Sequence, residues 1–227
     1  MRASVEAYEA ALPNGAWPNY VLGNHDESRI ASRVGPDGAR LAMLLLLTLR
    51  GTPTLYQGDE LGIQDVPIPP ERAQDPWGKR VPGLNLGRDP ARTPMPWDTS
   101  QPNAGFCPPE VEPWLPLNPD RATVNAASEL ADPRSMLSLT RRLLAVRRAS
   151  PALSVGSYRA LEGVPEACFV YQRESAKERV VVALNFSAHP VEVHLPAGEL
   201  LVSTGMDRET LDSRLRPAEG LVIRLAG

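Results

Sequence analysis

The sequence predicts an α/β segment drawn from a parallel sheet or barrel, followed by an all-β antiparallel sandwich. Three observations carry this. Helical and extended periods alternate over residues 2–57 in the order helix, strand, helix, strand. A proline-rich stretch without sustained period then occupies residues 59–134. From Pro151 onward, short apolar runs sit between Gly, Pro and Ser turns, as in a sandwich. The expected division is therefore residues 1–150, including a long loop at 59–134, and residues 151–227.

Each element has its own signal. Val5, Tyr8 and Leu12 recur at helical spacing, and the turn residues "PNG" close that helix. "NYVLG" reads as a strand. In "GPDGARLAMLLLLTLR", Asp37 is a candidate N-cap for a helix apolar on nearly every side, which requires cover on several faces. Its greasiest stretch is roughly half the length needed to span a bilayer. "GTPTLYQG" is the second strand.

Residues 59–134 hold 15 of the 24 prolines and three of the four tryptophans. A loop that long is usually functional or disordered, and Trp77, Trp97 and Trp114 argue for order. Helical spacing resumes over residues 135–148, with Met136, Leu139, Leu143 and Val146 on one face and arginines expected to lie in solvent beside acidic neighbours. "CFVYQR", "RVVVALNF", "VEVHL" and "LVIRL" supply the strands of the second part.

Composition excludes several classes. The 227 residues are 42% apolar and 22% charged, which suits a folded globular chain. A formal charge of −3 and a pI near 5.7 give no general attraction to nucleic acid or to a membrane surface. Cys107 and Cys168 are too few for a disulfide framework, and His25, His189 and His194 share no metal-ligand spacing, so no metal and no cofactor are expected. "MRASVEAYEAAL" lacks the basic stub and apolar core of a signal peptide, and a cytoplasmic location is expected.

The chemistry concentrates in "WPNYVLGNHDESR", where an extended run ends in six residues able to hydrogen-bond or carry charge. In a parallel barrel the loops after the strands converge on one face, which places "NHD" after one strand and "GDE" after the next at a common end. Carboxylates at loop starts are also frequent helix caps, so spacing alone leaves Asp26 as either a site residue or a cap.

"YVLGNHDESR" resembles the fourth conserved region of the α-amylase superfamily, glycoside hydrolase family 13. "GTPTLYQGDELG" resembles its last-strand region, G-x-P-x-x-x-x-G-x-E, and "ARTPMPWDTSQPNAGF" with "WLPLNPD" is similar to the long loop after the eighth strand in the α-glucosidase and oligo-1,6-glucosidase branch. The resemblance implies the last strands and helices of a (β/α)8 TIM barrel, a small-molecule carbohydrate substrate, and a retaining glycosidase acting on α-linked gluco-oligosaccharides or disaccharides. Asp26 matches the transition-state stabiliser, His25 the neighbouring sugar-binding histidine and Arg92 a loop arginine of the same subsite; Arg29 joins the substrate-binding set with a less defined role. Asp59 and Glu60 read as structural or rim residues.

The chain also departs from the family pattern. A retaining glycosidase needs a nucleophile and a proton donor. In this family they follow the fourth and fifth strands, and neither region is present in these 227 residues. The resemblance thus implies a C-terminal fragment, inactive alone, whose activity needs the missing N-terminal barrel half. A trehalose synthase or another transglycosylase of the same superfamily is one alternative, and a non-catalytic carbohydrate-binding module is another.

Overall fold

Extended backbone at Asn19–Val21 (β1) and Thr52–Thr54 (β2) pairs in parallel, with Asn19 opposite Thr52 and Val21 opposite Thr54. A side-chain bond between Thr54 Oγ1 and Asn19 Oδ1, 2.8 Å, reinforces the register. Both strands are shorter than their apolar runs, because the chain turns soon after each into polar sequence. The structure is a computed structural model that describes residues 1–81, 83–84 and 86–226; Pro82, Asn85 and Gly227 lie outside the described residues. It forms two compact units, one from residues 1–21, 40–54 and 139–227, the other from residues 22–39 and 55–138.

In the first unit, helix α1 (Arg2–Ala11) buries Val5 and stacks Tyr8 edge-on against Tyr20, ring centres 5.4 Å apart. Glu9 pairs with Arg50 at 2.7 Å. Helix α2 (Ile30–Thr48), of which only residues 40–48 belong to this unit, is two segments joined at Gly35, whose φ of 75° breaks the helical path. Asp37 does not cap the second segment as expected. Pro36, with fixed φ and no N–H, suits the first helical position, so Asp37 falls within the first turn. The apolar stretch behaves as expected: Leu41, Leu44, Leu45 and Leu47 are at most 2% exposed.

Helix α5 (Met136–Ala149) buries Leu139, Leu143 and Val146. Arg134, Arg141, Arg142 and Arg148 are exposed, as expected of a solvated face, whereas Arg147 is half-buried. Arg147 donates to the carbonyls of Leu47, Leu49 and Gly51, and Arg142 to that of Leu201. The carbonyls at the end of a helix lack backbone partners and carry the negative end of its dipole, so a cation serves there without any carboxylate.

The β-rich part of this unit is a five-stranded sheet in the order β3 (Ser157–Ala160), β4 (Cys168–Ser175), β5 (Glu178–Asn185), β9 (Gly220–Leu225), β7 (Gly198–Ser203), every neighbour antiparallel. A two-stranded ribbon joins β6 (Val191–Glu192) to β8 (Arg214–Leu215). Val170, Val181, Ala183, Leu221 and Ile223 on one sheet face pack with Val193 and Leu215. On the opposite face, Tyr171 meets Thr48 through a 2.6 Å hydroxyl contact and Arg173 donates to the Thr48 carbonyl. With both faces covered, β5 reads as a continuous apolar run, "VVVAL", and not as strict alternation.

The second unit contains the whole proline-rich segment. Its prolines open short turns: Pro70, Pro102 and Pro119 each begin a 3-10 turn, and Pro76 begins helix α3 (Pro76–Arg80). Proline fits a first-turn position and obstructs a longer helix, which explains a chain of brief turns. Helix α4 (Ala126–Ala131) is capped by the Asn125 side chain. Leu61, Ile63 and Met95 form a small core with Val124, Ala126 and Leu137. Trp77, Trp97 and Trp114 are all more than half exposed, so turns and side-chain bonds to the backbone order this segment, and not the tryptophans expected to do so. No helix among the described residues is long and apolar enough to cross a membrane.

Candidate active site: an aspartate held by two arginines

The turn after β1 begins the site, and Asn24 shapes it. Its side-chain oxygen accepts the backbone N–H of Asp26 at 2.8 Å, a local turn that Asn favours because its side chain mimics a backbone carbonyl. Asp26 is thereby presented at the surface, half exposed. Two residues on, the start of α2 is capped from a distance: Asp65 accepts the Ser28 hydroxyl at 2.5 Å and the Arg29 backbone N–H at 2.9 Å. These anchors fix both ends of "NHDES".

Two guanidinium groups converge on one oxygen of Asp26. Arg88 Nη1 donates to Oδ1 at 2.8 Å and Arg92 Nη2 to the same Oδ1 at 3.2 Å. Arg92 also donates through Nε to the His25 carbonyl, 2.8 Å, so it grips backbone and side chain of the same turn. The other oxygen, Oδ2, has His25 Nε2 at 3.4 Å. The Arg88 hydrogen bond, aided by the charges of His25, Arg88 and Arg92, holds the Asp26 carboxyl below the usual carboxylate range against the opposing effect of burial. Asp26 is therefore an anion at neutral pH, with one oxygen committed and, among the described residues, one available.

Arg88 is itself clamped. Asp75 accepts its Nε at 2.8 Å, its Nη2 at 3.0 Å and its backbone N–H at 2.7 Å. Asp75 is buried, and these bonds, the Arg88 side chain foremost, hold its carboxyl far below the usual range. Asp89 mirrors it by accepting the backbone N–H groups of Gln74 and Asp75 at 2.6 and 2.8 Å. Segments 74–75 and 88–89 are thus clasped by two reciprocal carboxylates.

The structure brings His25, Asp26 and Arg92 together. Arg29 lies elsewhere in the unit, fully buried, with Nη1 donating to the Gln57 carbonyl at 2.6 Å and its guanidinium 5.3 Å from the Tyr56 ring centre. Burial pushes its pKa down. Gly58 makes room for it: a Cβ there would lie 2.7 Å from Arg29 Nη1. Asp59 and Glu60 bind local backbone, Asp59 the Tyr56 N–H at 3.2 Å and Glu60 the Gly58 N–H at 2.8 Å, as structural residues do.

Sequence reasoning missed Arg88, Asp75 and Asp65. Two of the three Asp-Pro pairs, Asp75-Pro76 and Asp89-Pro90, are the signal that existed, since Asp before Pro marks a cap or turn. Nothing in the sequence says that each carboxylate binds the backbone beside the other.

Residues 1–156 match the family model described as alpha amylase, catalytic domain. The chain belongs to the α-amylase family. Among curated relatives, it is 30% identical to the oligo-1,6-glucosidase of Parageobacillus thermoglucosidasius over 99% of this chain and 45% of that protein. Among solved structures, it resembles the trehalulose synthase MutB of Pseudomonas mesoacidophila with a TM-score of 0.83 at 30% identity, over 98% of this chain and 46% of that one. A mutant of MutB in complex with the substrate sucrose matches equally well, with a TM-score of 0.83 and 30% identity over the same shares of both chains. The chain spans about half the length of the relatives it matches, as an α-glucosidase-like C-terminal part. Within this family fold, β1 and β2 belong to a partial TIM barrel.

Proposed function

We propose that this chain forms the substrate-gripping side of a retaining α-glucosidase-type glycosidase acting on short α-linked gluco-oligosaccharides or disaccharides. The observation that carries the reading is the convergence of Asp26, His25 and Arg92 on one turn after a strand of an α-amylase-family chain. In this reading Asp26 accepts sugar hydroxyls and supplies negative charge beside an oxocarbenium-like transition state, while His25 and Arg92 contact the same sugar. Arg29, buried against Gln57 and Tyr56, is structural in this reading. Nucleophile and proton donor come from the N-terminal barrel half. Residues 1–150 form the barrel part with its loop at 59–134, and residues 151–227 form the C-terminal sandwich domain.

The likeness to a trehalulose synthase favours a second reading, a sugar isomerase or transglycosylase, because hydrolysis and transfer share one covalent intermediate and differ in what attacks it. The test is an enzyme made by joining the upstream barrel half to this chain, offered 4-nitrophenyl α-glucoside, isomaltose and sucrose. The glucosidase reading expects glucose release, and Asp26→Asn should lower turnover about a hundredfold or more. Near-wild-type turnover in that variant would sink it; isomerised sucrose without free glucose would select the second reading.

A further inference from the structure

We propose that Arg88, locked in place by Asp75, is the positioning residue that fixes the orientation of Asp26 and leaves Oδ2 as the oxygen offered to a sugar hydroxyl. This rests on the reading of Asp26 as the sugar-gripping carboxylate. A guanidinium has a planar fork of five N–H donors. Arg88 commits two edges of that fork, Nε and Nη2, to the buried oxygens of Asp75, which fixes its plane. Nη1 then points out along one direction, and Asp26 Oδ1 lies on it at 2.8 Å.

Arg92 reaches the same oxygen from a second anchor, the His25 carbonyl. Two independently held cations on Oδ1 define both the position and the rotation of the carboxylate. Among the described residues, Oδ2 keeps only the long approach of His25, which leaves acceptor capacity for a ligand. Alone on an exposed turn, an aspartate samples several rotamers; here that freedom is removed before substrate arrives, the condition for a preorganised electrostatic contact.

Lysine cannot reproduce this arrangement. Its single ammonium has no fork to span two carboxylates, and the buried Asp75 would claim it. The experiment is a pH titration of the Asp26 side-chain carboxyl by carbon NMR in the 227-residue chain, with the signal assigned through Asp26→Asn. Arg88→Gln should raise the Asp26 midpoint toward the ordinary carboxylate value, and Arg88→Lys should do so nearly as much. Asp75→Asn, which leaves Arg88 present but unheld, should raise the midpoint less and increase the motion of the Arg88 Nε–H.

An Asp26 midpoint unchanged in Arg88→Gln overturns the proposal. Should that variant fail to fold, an unchanged midpoint in Arg88→Lys overturns it equally. The turnover assay reports on the sugar reading separately. Loss of turnover in Asp26→Asn with an unmoved titration in Arg88→Gln sinks the positioning role alone, whereas a moved titration with undiminished turnover sinks the sugar role alone.

Discussion

Replacing Gly58 by alanine tests whether buried Arg29 is a structural centre of its unit. Gly58 has a φ of 88°, and an added Cβ would meet Arg29 Nη1 and Ile63 Cδ1, each at 2.7 Å. Left-handed backbone costs a non-glycine residue roughly 1–2 kcal/mol. Arg29 is fully buried, so it cannot swing into water, and moving it forfeits the 2.6 Å bond to the Gln57 carbonyl, a charged hydrogen bond of about 1.5–3 kcal/mol. The expected total is about 3–5 kcal/mol. Gly62→Ala is the control: its φ is 63°, but the nearest atoms to its Cβ, on Met136, stand off at 3.6 Å, so only the backbone cost of about 1–2 kcal/mol applies. Three of the four tryptophans lie in this unit, so fluorescence-monitored urea unfolding reads it directly. At a urea slope of about 2 kcal/mol per molar, the two midpoints should differ by roughly 1 M. Midpoints agreeing within about 0.2 M would refute the role assigned to Arg29.

Other outcomes follow from the same contacts. Arg92→Ala should weaken both substrate affinity and turnover in the completed enzyme, because Arg92 holds the His25 backbone as well as Asp26; a change in neither, by steady-state kinetics, would remove it from the site. The folded carboxyl of Asp75 is depressed, so its contribution is present above the unfolded carboxylate value of about 4 and lost as pH falls below it. Asp75→Asn should therefore lower stability at pH 6 and flatten its decline from pH 5 to pH 3, as followed by urea midpoints; a decline as steep as wild type would contradict the assignment. Tyr171→Phe removes the buried hydroxyl contact with Thr48 and should cost about 1 kcal/mol in thermal unfolding, whereas no change would mean the contact contributes nothing.

Much of the fold was legible because periodicity reports on burial. The helices expected over 2–12 and 135–148 are Arg2–Ala11 and Met136–Ala149, and the apolar helix from residue 38 is the second segment of α2. β4 and β5 were visible as "CFVYQR" and "RVVVALNF", whose apolar density reflects cover on both faces. β3 and β7 were not, since Ser157–Ala160 and Gly198–Ser203 are short and more polar at their exposed ends. For the candidate site, motif resemblance pointed to Asp26, His25 and Arg92, which the fold brings together. Arg88 was not, because its importance lies in a bond to Asp75 across a loop, and pairing at a distance leaves no period in a sequence.

The clasp between residues 74–75 and 88–89 separates two jobs that one loop would otherwise combine. Its stem closes on itself through Asp75 and Asp89, and Arg88 leaves from that closed stem, so the stretch from 76 to 87 can change without disturbing the anchor. Lengthening such a stretch costs little, about 0.6 kcal/mol for each doubling. Natural variation or a designer's insertion can then alter that stretch while the charge geometry at its base stays constant. The length of the stretch and the geometry of its charged base would evolve as separate variables within a single connection.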